Sequence, residues 1–578
     1  MLLVFSKNSI KNMYVLQRRS VVADIEYDNN GLWLECNKNI REYNANDISI
    51  SDDPFNKLAH MLPDFSFVQL YKGKIQLGRS ESGVNPIYYN ETDSQLIISN
   101  SVWEITKLLN HPSFSVFGVL QFVYYEYPKD PYTLIENVFA VERGVQLEFA
   151  VNKPIKSINF REPLGNIDEV FLSETEVIRN FKEKVIRAHE RRLTNHNGIY
   201  LSGGIDSSVS SIVLKNYLDI DDLFAITFRV IGAEQDESKD AMECARQLDI
   251  EHNVIDVDPN EEIGSDEILG ESSFPYVGSF LLNKVGSMLN SIGRKELNIF
   301  ACQDTRLHTP SLNIIDLCYI KYLRNMSAVR KFIAGGATLI DGISENRKIN
   351  RLLLLLKSGQ DVASYIHDSK FHYHYESDID SELIKLHREQ LIEKIQKELS
   401  SNYSLRKIYN SIVDISWGWQ YTSDIEYMAS NTIKYGNNCS FPFYDCELNI
   451  FAASIPMKFA TQYTKGRAGH SAKPKRVNKY VLRRAFDKEL SDSLVYRDKA
   501  VCITNHMFLN GSMLGLYNEM ITNPAIKDSK VYEIVGLSKL MSMAKEKFGK
   551  WQMQDYRDMV CVQNLIYLDA IARKYRVN

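Results

Sequence analysis

Short apolar runs separated by clusters of Asp, Asn, Gly and Ser fill the first part of the chain. The runs lie at residues 21–23, 31–34, 67–71, 74–78 and 96–99. Apolar runs of this length, bounded by residues that favour turns, are typical of β-strands. The pattern therefore predicts a β-rich first domain over residues 1–165.

The pattern changes at about residue 166. Helical spacing over 171–187 is followed by apolar runs at 198–201, 223–228, 252–257 and 297–300, with helix-like segments between them. Strands that alternate with helices form parallel sheets, which bind ligands at the carboxyl ends of their strands. Residues 166–578 are therefore predicted to form an α/β domain.

Helical patterns also cover much of the rest of the chain. They fill most of 311–420, with a core helix at 351–357, and they return at 531–578. We expect the last of these segments to form a closing helix beside the functional site. The run His189-Glu190-Arg191-Arg192 ends the helical segment before the first strand of the α/β domain, and we expect it to be a solvated helix end.

One stretch joins the apolar run at 198–201 to the helix-like segment at 209–214. Its residues are Ser202, Gly203, Gly204, Ile205, Asp206, Ser207 and Ser208. Where a strand passes through a glycine turn into a helix, the first N–H groups of the helix can hold a phosphate. A carboxylate beside such a nest is repelled unless a cation lies between them, so Asp206 is predicted to be a Mg²⁺ ligand.

Composition narrows the class of protein. The 578 residues exceed what one core usually serves, and 44% hydrophobic with 24% charged residues is typical of globular proteins. A net charge of -5 gives no general attraction to nucleic acid or to an anionic membrane. The eight cysteines form no C-x-x-C pair, and no run approaches the roughly 18 apolar residues that span a membrane. We expect a cytoplasmic protein with free thiols, and a structural role for the two histidines at 371–375.

The glycine stretch resembles the SGGxDS pyrophosphate loop of the N-type ATP pyrophosphatases. Other segments resemble the asparagine synthetase family: 77–89 is similar to its R-D-x-x-G-x-x-P-L-Y-Y motif, and 424–430 to D-R-x-S-M-A. Residues 441–445 are similar to its P-F-L-D, 479–486 to K-x-x-L-R-x-A, and 497–499 to R-x-K.

The resemblance implies an N-terminal-nucleophile-hydrolase-like αββα domain, of the glutaminase kind, over 1–165. It implies an ATP pyrophosphatase domain, similar to the adenine nucleotide α-hydrolases, over 166–578. The expected reaction adenylates a carboxylate with ATP and Mg²⁺, releases pyrophosphate, and then forms an amide and AMP.

The resemblance also implies roles for particular residues. Asp206 and Asp304 would bind Mg²⁺, and Lys499, supported by Arg497, would stabilise charge as the acyl-adenylate breaks down. The nucleotide would be bound by Leu201, Ser202, Gly203, Gly204, Asp206, Ser207, Ser208, Thr227, Phe228 and Phe300. The backbone of the strand at 223–228 would receive the adenine.

The chain departs from the family in three places. Position 2 is Leu2 where the glutaminase has its nucleophilic cysteine, and we do not expect Cys36 to replace it. The loop around Asp304 lacks the family's glycines. No carboxylate occupies the family's E-x-R positions, so the base for amide formation stays open between Glu426, Tyr435 and an amine that arrives unprotonated.

Loss of the nucleophile is the pattern of β-lactam synthetases and lasso-peptide cyclases, whose substrates carry their own amine. The resemblance therefore implies ring closure or ligation on a peptide or small molecule in natural-product biosynthesis. A leader-peptide-binding or peptidase partner and an oligomer are possible. Three alternatives stay open: an ammonia-dependent asparagine synthetase, a tRNA-modifying pyrophosphatase, and an inactive binding protein.

Overall fold

The computed structural model describes a defined part of the chain. The described residues are 2–6, 9–17, 23–27, 30–36, 52–93, 95–150, 153–234, 236–301, 363, 379–398, 404–416, 422–459, 461–464, 475–489 and 504–578. Several predicted elements and site residues are not among these residues. The core helix at 351–357, the histidines at 371–375, Asp304, Arg497 and Lys499 lie outside the described residues.

Two antiparallel sheets occupy the first part of the chain. Their strands are β1 (Leu2–Ser6), β2 (Ser9–Gln17), β3 (Ala23–Tyr27), β4 (Asn30–Cys36), β5 (Phe65–Tyr71), β6 (Lys74–Arg79), β7 (Tyr88–Glu91), β8 (Gln95–Ser99), β9 (Val138–Ala140), β10 (Val145–Phe149) and β11 (Lys156–Asn159). The strand orders are β2-β1-β8-β7-β9 and β11-β10-β6-β5-β4-β3. Helices α1 (Pro54–Met61), α2 (Val102–Thr106) and α3 (Val116–Tyr125) accompany them.

The inner faces of these sheets share a core. Leu3 of β1 and Ile98 of β8 meet Val68 of β5, Leu77 of β6 and Leu147 of β10 in one buried cluster. Each strand contributes alternate residues because successive side chains point to opposite faces. The predicted strand-rich region is confirmed, and its relationship to the N-terminal-nucleophile hydrolases stays a prediction.

A five-stranded parallel sheet follows. Its strands are β12 (Asn197–Tyr200), β13 (Phe224–Val230), β14 (Glu251–Val257), β15 (Asn298–Phe300) and β16 (Asn438–Ser440), in the order β14-β13-β12-β15-β16. Its helices are α4 (Glu174–Glu190), α5 (Ile205–Ile212), continued by a π-helical segment at Val213–Tyr217, α6 (Ser238–Gln247), α7 (Ser265–Leu269) and α8 (Val277–Ser291). Every pairing in this sheet is parallel, as the alternating pattern predicts.

The remaining described chain is mostly helical. The helices are α9 (Ser381–Glu398), α10 (Leu405–Ser416), α11 (Thr422–Ile433), α12 (Cys446–Ser454), α13 (Tyr480–Ala485), α14 (Asn505–Asn510), α15 (Leu514–Thr522), α16 (Val531–Ile534), α17 (Leu537–Lys547) and α18 (Tyr556–Tyr575). Strands β17 (Thr461–Thr464) and β18 (Lys475–Asn478) form a hairpin, and short 3-10 turns lie at Leu164–Asn166, Pro442–Tyr444, Met457–Phe459, Ala525–Asp528 and Met553–Asp555. No helix among the described residues is long and apolar enough to cross a membrane.

The last helix, α18, packs against α2 and α3 of the strand-rich first part of the chain. The rings of Tyr575 and Trp103 stack with centroids 4.7 Å apart, and the Asn564 side chain donates to the Phe122 carbonyl over 2.7 Å. The prediction of a helix at the end of the chain is confirmed. Residues 561–572 of α18 are buried on every side, Gln563, Asn564 and Asp569 among them. Its expected position beside the site stays a prediction.

The basic run that ends α4 is also unlike the expectation. His189 and Arg192 are 0% and 1% exposed, so this is not a solvated helix end. His189 bonds to the Val185 carbonyl and the Ser210 hydroxyl, each over 2.8 Å. Arg192 pairs with two buried carboxylates, those of Asp64 and Asp445. Arg192 therefore joins the end of α4 to the strand-rich first part of the chain and to α12.

Candidate nucleotide-binding site

The glycine stretch lies at the centre of the parallel sheet. It follows β12, whose neighbours are β13 on one side and β15 on the other. The chain reaches β13 directly after β12, whereas β15 comes only after β14, so the strand order reverses beside β12. Ligands of open α/β sheets bind in the crevice at such a reversal, outside the carboxyl ends of the strands.

The two glycines of the stretch have different structural roles. Gly203 has a φ of +65°, in the left-handed region, and a Cβ there would lie 2.7 Å from the backbone nitrogen of Ala241 and 2.8 Å from Cβ of Asp240. Gly204 is extended, with φ -72° and ψ 159°, and it is the N-cap of α5. The turn thus brings the start of α5 into the crevice, where its first N–H groups can bind an anion.

Serine hydroxyls hold the turn together. The Ser202 N–H donates to Ser207 Oγ over 3.2 Å, and the Gly204 N–H donates to Ser202 Oγ over 3.3 Å. The Ser207 hydroxyl donates to the Gly204 carbonyl over 3.1 Å. The anion site is therefore largely pre-formed.

Asp206, in the first turn of α5, forms an ion pair with Lys479. The two residues are 273 positions apart, and the Lys479 side chain is 8% exposed. Lys479 has a φ of +57° at the start of α13, so the turn into that helix delivers the ammonium group to the loop. The loop thus combines N–H groups, an ammonium and a carboxylate, a set suited to a phosphate chain with its metal ion.

Asp206 fits the predicted role as a Mg²⁺ ligand. Mg²⁺ is usually bound by one or two carboxylates together with substrate phosphates and water. Among the described residues, no group of three or more His, Cys, Asp or Glu side chains could hold a metal. Asp206 would supply one such carboxylate, and the other predicted ligand, Asp304, lies outside the described residues.

The predicted nucleotide-binding residues of the other strands lie beside the loop. The Leu201 N–H donates to the Ile226 carbonyl over 2.8 Å, and the Thr227 hydroxyl donates to the Leu201 carbonyl. The half-buried Phe228 ring stacks with Tyr200, their centroids 6.0 Å apart. β13 is thus tied directly to the start of the loop.

Phe300, at the carboxyl end of β15, is completely buried. Its ring stacks on the imidazole of His189 with centroids 5.7 Å apart. The ring therefore belongs to the core, and a contact between Phe300 and a nucleotide would have to come from its backbone.

The two candidate bases are occupied by structural contacts. Glu426 is 5% exposed and its carboxylate accepts the Ser273 N–H over 2.7 Å. The Tyr435 hydroxyl donates to the Asn283 side chain over 3.0 Å, and its ring lies against Gly286 of α8. The base for amide formation therefore stays open.

The pairing of Lys479 with Asp206 is not predicted by the sequence. The K-x-x-L-R similarity at 479–486 marks Lys479 as a candidate residue for phosphate binding. However, Lys479 and the loop are far apart in the sequence, so the sequence does not indicate that they are in contact.

Two comparisons with known proteins concern this region. A family model described as asparagine synthase matches residues 180–267, from within α4 to within α7, a stretch that contains the loop. Glutamine-hydrolysing asparagine synthetase 1 of Bacillus subtilis (strain 168) is 26% identical over 188 residues. That match covers 32% of this chain and 29% of the relative, so the chain spans less than a third of the relative's length.

The similarity of this chain to solved structures is weaker. An NH3-dependent NAD synthetase from Campylobacter jejuni subsp. jejuni is 14% identical, with a TM-score of 0.18, over 40% of this chain and 99% of that chain. A U34-tRNA thiolase from Methanococcus maripaludis is 16% identical, with a TM-score of 0.18, over 38% and 80%. TM-scores this low do not establish a shared fold. The sequence matches support a likeness to asparagine synthases in the region that carries the loop.

Proposed function

We propose that this protein is an ATP-using, amide-forming ligase of the asparagine synthase type. The observation that carries the proposal is the loop at the centre of the parallel sheet, with Asp206 and Lys479 paired at the start of α5. The family match over 180–267 supports it, because the matched stretch includes this loop.

The proposed reaction has two steps. A carboxylate oxygen of the substrate attacks the α-phosphorus of ATP, the bond to the β-phosphate bridging oxygen breaks, and pyrophosphate leaves. An amine then attacks the acyl carbon, the bond to AMP breaks, and the amine proton passes to a base. Adenylation is needed because a free carboxylate is a poor acyl donor, and holding the amine nearby makes the second step effectively unimolecular.

The residues of the loop would act mainly by electrostatics. The N–H groups at the start of α5 and the Lys479 ammonium would hold the phosphates, and Asp206 would hold Mg²⁺. When bound, Mg²⁺ would neutralise charge on the departing pyrophosphate. Lys499, with Arg497, is proposed to stabilise charge as the acyl-adenylate breaks down, and Asp304 to be a second metal ligand.

We further propose that the amine comes from the substrate, giving ring closure or ligation on a peptide or small molecule as in lasso-peptide cyclases or β-lactam synthetases. The support is that β1 contains no cysteine, whereas Cys36 ends β4, in the other sheet, opposite Phe65. A leader-peptide-binding or peptidase partner, oligomer formation and a cytoplasmic location belong to the same proposal.

A second candidate is the amidation of a carboxylate by free ammonia. The observation in its favour is that the curated match is to an asparagine synthetase. This reaction would use the same loop and the same adenylate.

The experiment combines the purified protein with Mg²⁺, ATP and panels of carboxylates and leader-bearing peptides, each with and without ammonium. Mass spectrometry of the organic product separates the candidates. Loss of water from a single substrate indicates ring closure, and an ammonia-dependent amide indicates amidation. Absence of any product and of ATP binding would contradict both and leave an inactive scaffold.

A further inference from the structure

The start of the phosphate-binding loop is connected to the third strand of the sheet through side chains. Thr227 lies on β13 and His252 on β14, where they are near neighbours across two parallel strands. The Thr227 hydroxyl bonds to the Leu201 carbonyl, and Thr227 Oγ1 lies 2.7 Å from His252 Nε2. Thr227 is 3% exposed, so water does not compete for these bonds.

The position of each hydrogen in this series of hydrogen bonds follows from the Thr227 hydroxyl. A threonine hydroxyl has one hydrogen, and that of Thr227 is donated to the Leu201 carbonyl. Thr227 Oγ1 must therefore accept from His252, which requires that Nε2 of His252 carries a hydrogen. The chain runs from the imidazole to the hydroxyl and from the hydroxyl to the carbonyl.

The carbonyl at the end of this chain belongs to the peptide that opens the loop. The nitrogen of the same peptide is the Ser202 N–H, which donates to Ser207 Oγ in the first turn of α5. The plane of the Leu201–Ser202 peptide is thus held from both sides, by β13 and by α5. If the bond from Thr227 is removed, this peptide can rotate, and the Ser202 and Gly203 N–H groups move with it.

We propose that Thr227 and His252 are positioning residues that fix the first peptide of the phosphate-binding loop through their side chains. They act through Leu201 and need not touch the nucleotide themselves. This assignment rests on the proposed function for its effect on ATP, but the hydrogen-bond chain is testable in the protein without a ligand.

The main variant is Thr227→Val, which removes the hydroxyl and keeps the shape. We expect amide hydrogen exchange at Ser202 and Gly203 to become about tenfold faster, because a buried hydrogen bond is lost. We expect the KM for Mg-ATP to rise about tenfold with kcat within a factor of about two, which is the signature of lost binding rather than lost chemistry. Thr227→Ser should restore both values.

The matched control is Thr106→Val in the first domain. The Thr106 hydroxyl is also buried and donates to a carbonyl, that of Val102, over 2.9 Å. It should leave both the loop exchange and the KM for ATP unchanged. Unchanged exchange and KM in Thr227→Val would overturn the proposal, and so would equal changes in Thr227→Val and Thr106→Val.

The histidine provides an independent readout. NMR of isotope-labelled histidine should show the His252 ring with its hydrogen on Nε2, and Thr227→Val should change that signal. A hydrogen on Nδ1 alone would contradict the chain. If the wild-type protein does not bind Mg-ATP, the proposed function fails, whereas exchange at the loop and the His252 spectrum still decide whether the positioning contacts exist.

Discussion

Arg192 and Asp64 form a buried, two-bond ion pair that joins the end of α4 to the strand-rich first part of the chain. Arg192 Nε lies 2.7 Å from one carboxylate oxygen of Asp64, and Nη2 lies 3.0 Å from the other. Both side chains are 1% exposed. The same guanidinium reaches Asp445 over 2.9 Å, so it holds together Asp64, which precedes β5, and the start of α12.

This arrangement predicts that Arg192→Met is strongly destabilising. The change leaves the carboxylates of Asp64 and Asp445 buried without their main partner, and breaking a buried pair typically costs about 3–5 kcal/mol. Urea unfolding should show a loss of stability in that range. Arg191→Met is the matched control, because Arg191 is 24% exposed and its bonds to Asp445 and Glu447 are 3.4 Å long. It should cost less than about 1 kcal/mol; similar losses in both variants would contradict the interpretation.

The buried histidine of α4 predicts a dependence of stability on pH. Burial lowers the pKa of His189 to about 3, so the folded protein keeps this ring neutral, whereas the unfolded chain protonates it below about 6.5. The stability that comes from keeping His189 neutral is therefore fully present above pH 6.5, and it is lost as the pH falls from 6.5 towards 3. The slope is about 1.4 kcal/mol per pH unit.

The check compares the free energy of unfolding of wild type and His189→Gln between pH 7 and pH 4. The glutamine can still bond to Val185 and Ser210 but does not titrate. As the pH falls, the free energy of unfolding of the wild type should decrease more steeply than that of His189→Gln. The difference in slope should correspond to one additional proton bound on unfolding. Parallel curves would show that His189 is protonated in the folded protein.

The loop glycine predicts a specific loss of ATP binding. Gly203→Ala places a Cβ against Asp240 and Ala241 and strains a left-handed φ, so the loop must shift. We expect the affinity for Mg-ATP, measured by calorimetry, to fall at least about tenfold.

Gly73→Ala is the control for the strain alone. Gly73 has a similar φ of +72°, but a Cβ there meets no atom within 4 Å. It should cost about 1 kcal/mol of stability and leave the affinity for ATP unchanged. Equal affinities for ATP in the two variants would argue against the phosphate-binding role of the loop.

Lys479 is predicted to be needed for turnover. Lys479→Met removes the ammonium that pairs with Asp206 and that we propose to hold the phosphates. A lost charged donor in an active site typically costs about 100-fold or more in rate. The release of AMP should fall accordingly. Lys394→Met breaks an ion pair with Glu142, 2.6 Å long and partly exposed, and should leave the rate close to that of the wild type.

The sequence predicted what depends on local pattern. The strand, glycine turn and helix around Gly203 are adjacent in the chain, and the alternation of strands and helices was enough for the parallel sheet. It did not predict contacts between distant residues. Arg192 has the local pattern of a solvated helix end, and only Asp64 and Asp445, which are far away in the sequence, make its burial favourable. The contact between Lys479 and Asp206 also joins residues that are distant in the sequence. For α18, the apolar residues predict burial but do not indicate which surface will cover them.

The adenylation reaction is tested most directly by the identity of the nucleotide products. The protein is incubated with Mg²⁺, ATP and the panels of carboxylates and leader-bearing peptides, each with and without ammonium, and AMP, ADP, pyrophosphate and phosphate are quantified, with Asp206→Ala in parallel. An adenylating ligase should release AMP and pyrophosphate in equal amounts, dependent on the substrate carboxylate and its amine and absent in Asp206→Ala. Formation of ADP and phosphate, or AMP formation that persists in Asp206→Ala, would contradict the adenylation reaction.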